Sequence, residues 1–147
     1  VSATKPLAYQ GTVIRDISVR FEAGKIVDAT ASSGEAVFRD LLGVDDGSSR
    51  IGEVALVPHS SPISQSGTLF YNTLFDENAS CHIALGQSYA DTVSGGSDLG
   101  EDELKQKVAN QSLIHVDWMI GSDDVVIDGI TRTGETVPVM RKGEWAF

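Results

Sequence analysis

The stretch Ile114-His115-Val116-Asp117-Trp118-Met119-Ile120 decides how this chain reads. It predicts a β-strand. Side chains alternate along a strand, so His115 and Asp117 project from one face and Val116 and Trp118 from the other. An imidazole nitrogen and a carboxylate oxygen one pleat apart can share a Zn²⁺-like cation. A His–Asp hydrogen bond on a solvated face is the other reading of the same pair.

Upstream, Cys81–Leu85 (CHIAL) predicts a second strand, ending at Gly86. His82 enters it directly after the polar turn Asp76–Ser80. Ligands are often placed where a rigid strand meets an open loop; a satisfied core histidine is the alternative. Cys81 and His82 point to opposite faces, so Cys81 reads as a buried structural thiol rather than a partner of His82. Glu53 opens the run Glu53–Val57 (EVALV), closed by Pro58 and read as a largely buried strand. A carboxylate there is costly to bury without a partner. A cation, Arg50, or simple exposure at the strand start would each account for it.

Working outward, Tyr9–Ile14 reads as a strand, and Ile17–Phe21 and Ile26–Ala31 as a hairpin about Glu22–Lys25. Ser32 with Glu35 has capping-box spacing. Val37/Leu41 and Phe38/Leu42 then mark a short helix ending at Gly43. Thr68–Phe75 is ambiguous and leans helical. Asp98 with Glu101 offers a second capping box, opening a polar helix to about Ala109. Val125–Val139 holds two short strands around Thr133-Gly134-Glu135. The expected fold is α+β: mainly antiparallel or mixed sheet, or a barrel-like domain, with two or three short helices.

The chain has 147 residues, which suits one domain. Twenty-one acidic against eleven scattered basic residues give a net charge of −10. That balance argues against nucleic acid as a partner, because phosphate binding needs clustered Lys and Arg. No apolar run is long enough to cross a membrane. One cysteine excludes an internal disulfide and favours a reducing cytoplasm. There is no HExxH, CxxC, GxSxG or Walker motif. The chain starts at Val1, so a processed product or a cut piece of something longer is expected.

The order Glu53…His82…His115-x-Asp117 brings a family into view. The stretches Gly52–Pro58, Phe70–Ser80, His82–Gly86 with Tyr89, His115–Ser122 and Arg141–Ala146 resemble the thermophilic-aminopeptidase family, the group of aminopeptidase T, aminopeptidase S and PepS. The resemblance runs from Val1 to Phe147. It implies a cytoplasmic metallo-aminopeptidase that holds two divalent ions (Zn, Co or Mn) and cleaves the N-terminal residue from peptides with a free N-terminus. It also implies homodimers of two-domain subunits. Carried over by position, Glu53 is similar to the bridging carboxylate, and His82, His115 and Asp117 to further metal ligands. Tyr89 matches a tyrosine lying at the metals as ligand or hydrogen-bond donor, and Glu77 an acid of unassigned role. On this resemblance residues 1–147 are the C-terminal metal-binding catalytic domain, with the N-terminal domain and one upstream glutamate ligand absent. The fragment alone is then expected to fold, to hold metal weakly or not at all, and to be inactive. The competing expectation is a non-catalytic folding or dimerisation module.

Overall fold

A computed structural model describes all of residues 1–147. It places the HxD stretch in the third strand of an antiparallel sheet ordered β5–β6–β7. The strands are β5 (Ile51–Ala55), β6 (His82–Gly86) and β7 (His115–Met119). Their register sets Glu53 opposite Ala84, and Ala84 opposite Asp117. His82 faces Met119 and His115 faces Gly86 across β6 and β7. Pleating sends Glu53, His82, His115 and Asp117 to one face. Ala84 lies between the two acids, and its methyl group leaves the carboxylates room to approach over it.

The opposite face carries the core. Ile83, Leu85, Val116 and Trp118 join Leu7, Ile14, Ile17, Val19, Ile26, Ala29, Phe38 and Leu41 in one buried cluster. Phe38 meets Trp118 edge-on, with ring centroids 6.3 Å apart and planes at 74°, a favoured aromatic geometry. Phe38 comes from α1 (Glu35–Leu42), whose apolar face packs beneath the sheet. Two hairpins frame it: β1 (Leu7–Tyr9) with β2 (Thr12–Ile14), and β3 (Ser18–Glu22) with β4 (Lys25–Thr30). A further sheet joins β8 (Ile127–Ile130), β9 (Thr136–Arg141) and β10 (Glu144–Trp145). All strand pairings are antiparallel. Four short helices complete the α+β domain: α1, α2 (Pro62–Ser66), α3 (Thr73–Asp76) and α4 (Glu101–Gln106). None is long and apolar enough to cross a membrane.

Several local expectations are corrected. Tyr9–Ile14 is not one strand: Gln10 and Gly11 both take positive φ and turn the chain back as a tight hairpin. The Ser32/Glu35 box does not form. Gly34 is the N-cap, Glu35 accepts from Ala31 N–H at 3.0 Å, and Ser32 Oγ donates to Asp16. Only the end of Thr68–Phe75 is helical, because the Asp76 carboxylate accepts from Phe70 N–H and Asn72 N–H and folds that segment into a turn. Helix α4 starts after Gly100, whose N–H donates to Glu103, and stops at Gln106. Strand β5 is a sheet edge rather than a buried strand, and Val54 is 65% exposed.

Candidate metal centre

The four aligned side chains converge. His82 Nε2 lies 3.6 Å from Glu53 Oε1 and 3.9 Å from Asp117 Oδ1. His115 Nε2 lies 3.6 Å from Glu53 Oε2 and 3.5 Å from Asp117 Oδ2. Each carboxylate therefore turns one oxygen to each histidine. Ligand atoms of Glu53, His82 and Asp117 all lie within 4.8 Å of one another.

The imidazoles are oriented from behind. His82 Nδ1 donates to Ser80 O at 3.1 Å, and His115 Nδ1 donates to Gln87 O at 2.6 Å. A carbonyl can only accept, so the proton sits on Nδ1 and Nε2 faces the carboxylates. Metal-ligating histidines are commonly fixed in this way. His82 and Asp117 are buried, while Glu53 is about a quarter exposed. Asp117 Oδ1 is buried with no hydrogen-bond partner. A buried, unpaired carboxylate oxygen is costly, and a cation is the partner this donor set fits. Two imidazole nitrogens and two carboxylates suit Zn²⁺ and its neighbours.

Glu77 stands beside Asp117 at the start of the turn that follows α3. Burial and the Asp117 carboxylate push its pKa up to about 7. The Tyr89 ring tilts against His115, with centroids 4.7 Å apart. Tyr89 is half exposed and so sits at the rim. Its phenol pKa is raised by burial and by the Glu53 and Asp117 charges, which keeps it a donor near neutrality. Arg50 is not the partner of Glu53; its guanidinium donates to Ala23 O. Cys81 packs against Met140 Sδ at 3.8 Å and accepts from Val57 N–H, away from the cluster. His59 is exposed beside Ser64, 3.4 Å from its hydroxyl.

What sequence reasoning missed is the strap Gly86-Gln87-Ser88, which aims a carbonyl at His115. No side-chain chemistry marks it. Its one signal is Gly86, which takes φ +98°. A Cβ there would lie 2.1 Å from Ile114 O, so only glycine fits.

A family described as Thermophilic metalloprotease (M29) matches residues 1–145. The chain belongs to this metalloprotease family. Over the full 147 residues it is 53% identical to Aminopeptidase AmpS of Bacillus subtilis and 54% identical to Aminopeptidase PepS of Streptococcus thermophilus. In each case the match covers 100% of this chain and 36% of the relative. The solved structure of wild-type AmpT from Thermus thermophilus superposes with a TM-score of 0.91 at 46% identity, again over 100% of this chain and 36% of that one. The chain thus spans about a third of the length of the M29 relatives it matches.

Proposed function

We propose that Glu53, His82, His115 and Asp117 hold two divalent cations, and that the chain is part of an aminopeptidase acting on peptides with a free N-terminus. The observation that carries this reading is the crossed arrangement of the carboxylates. Glu53 and Asp117 each present one oxygen toward His82 and the other toward His115. Two cations would be held by these four side chains, each offered one imidazole nitrogen and carboxylate oxygens, and would supply the chemistry of two-metal hydrolases. The aminopeptidase names of relatives 53% and 54% identical support the substrate class.

When bound, such cations supply Lewis acidity toward a scissile carbonyl and a water ionised near neutral pH. The chain's own residues do the rest. Glu53 and Asp117 would offset the charge of the ions. The Ser80 and Gln87 carbonyls keep both imidazoles in the ligating tautomer. Tyr89 donates its phenolic proton at the rim, toward a developing oxyanion. Glu77, titrating near neutrality beside Asp117, can hold or release a proton there.

A ligand and a cleft wall from the rest of the longer parent complete the site in this reading. The 147-residue chain alone is inactive and holds metal less tightly than the parent, because affinity follows ligand count. The parent works in the cytoplasm as a homodimer, with Zn, Co or Mn as the metal. The test is cleavage of leucyl and arginyl p-nitroanilide by the full-length protein and its His115→Ala variant, with and without added Zn²⁺, Co²⁺ or Mn²⁺. Activity that depends on metal and falls at least about 100-fold in the variant, with unchanged circular dichroism, is expected. Unchanged turnover in metal-limited buffer would overturn the assignment of His115.

A further inference from the structure

We infer that Asn110 is a positioning residue for His115, acting at a distance through the strap Gly86-Gln87-Ser88. The inference rests on the metal-site reading for its purpose, and on hydrogen bonds alone for its content. Asn110 lies in the segment between α4 and β7 and touches none of the four clustered side chains. Its Nδ2 donates to Gly86 O at 2.6 Å and to Gly47 O at 2.9 Å. Both amide protons are therefore used, and two carbonyl acceptors fix which end of the amide is nitrogen. Its own backbone carbonyl accepts from Ser88 N–H at 3.0 Å and from Ser88 Oγ at 2.9 Å. Between these two anchors, Gln87 N–H donates to Ile114 O at 2.6 Å. Gln87 Oε1 accepts from Ser112 N–H at 2.9 Å.

Three successive residues are thus tied to residues 110–114, and the middle carbonyl is left with one direction to point. That direction is His115 Nδ1, at 2.6 Å. Close packing from the other side reinforces it. A Cβ at Gly52, the residue before Glu53, would lie 2.3 Å from Gly86 O and 2.4 Å from Gln87 O. The strap is wedged between the β5 backbone that carries Glu53 and the segment held by Asn110. Removing the Asn110 amide takes a donor from Gly86 O, while Gly47 O keeps Arg50 N–H, and frees the strap to rotate. His115 then loses the acceptor that orients its ring. His82 is oriented by Ser80 O instead, on a separate turn, and so serves as an internal reference.

The experiment reads the Nδ1-bound ring protons of His115 and His82 by ¹⁵N-resolved NMR on the metal-free 147-residue chain. In the wild type both protons are expected to exchange slowly with solvent. In Asn110→Ala the His115 Nδ1 proton is expected to exchange at least about tenfold faster, while that of His82 is unchanged. Equal exchange of the His115 proton in both proteins would overturn the inference, as would general acceleration at both histidines. Should Asn110→Ala not fold, the wild-type spectrum decides. The two Asn110 Nδ2 protons must both be protected, and free exchange of either overturns the inference. No metal is present, so a chain that passes this test and later binds no Zn²⁺ sinks the metal reading alone.

Discussion

Asp117→Asn should stabilise the metal-free chain and weaken its metal binding in the same stroke. Asp117 is buried, and its Oδ1 has no hydrogen-bond partner. Ligand atoms of Glu53 and Asp117 lie within 4.8 Å of each other. Two unit charges at 4.8 Å repel by about 3.5 kcal/mol at an effective dielectric of about 20. Glu53 is about a quarter exposed, and solvent screening reduces that figure to about 1–2 kcal/mol. Asparagine is isosteric, removes one charge and brings two donors for the neighbouring carboxylates. With EDTA at pH 8, urea unfolding should therefore show the variant more stable by about 1–2 kcal/mol. Glu77 should also titrate lower, because the Asp117 charge is one of the causes of its raised pKa. With Zn²⁺ at about 100 times the dissociation constant, the wild type should gain about 2.7 kcal/mol. The variant should gain far less at the same concentration. A variant less stable than wild type in EDTA would refute the reasoning, since Asp117 would then be held by favourable contacts rather than awaiting a cation.

Three further outcomes follow from the fold. Phe38→Ala should cost about 3–5 kcal/mol by urea unfolding, because the ring is fully buried against Trp118. Gly86→Ala should cost more than about 2 kcal/mol and weaken Zn²⁺ binding by calorimetry, because its φ of +98° and the Ile114 carbonyl both reject a Cβ. Asp45 accepts from Gly47, Ser48, Ser112 and Leu113. The Leu113 N–H, foremost among these donors, holds its pKa at about 2, below the ordinary carboxylate value. A depressed carboxylate contributes stability above its unfolded pKa and loses it as pH falls toward the folded one. Thermal stability should therefore drop between about pH 4 and pH 2 in the wild type, and less steeply in Asp45→Asn.

The candidate site was legible because strand geometry is local. Alternation alone puts His115 and Asp117 on one face and Val116 and Trp118 on the other. Glu53 and His82 could be suspected one at a time, but their meeting depends on register, which comes from pairing partners distant in sequence. Ala84, between Glu53 and Asp117 across the sheet, shows what the sequence leaves hidden. An alanine carries no chemical signal, yet it makes the space. Caps were misread for a related reason. Glu35 has the right spacing from Ser32, but its carboxylate finds Ala31 N–H, and Gly34 supplies the positive φ that the helix start needs. Thr68–Phe75 is helical only from Thr73 because Asp76 offers its carboxylate to two backbone donors upstream. Propensity sums do not register such a competitor.

The most direct test of the metal centre is anomalous diffraction from crystals of the 147-residue chain soaked in millimolar Zn²⁺ and recorded at the zinc edge. Soaking at that concentration fills even a weakened site. An anomalous peak is expected about 2.0–2.2 Å from His82 Nε2 or His115 Nε2 and from an oxygen of Glu53 or Asp117. In the full-length protein two such peaks about 3.5–4 Å apart are expected. Well-diffracting soaked crystals with zinc elsewhere on the surface and no peak among these four side chains would contradict the metal-centre reading.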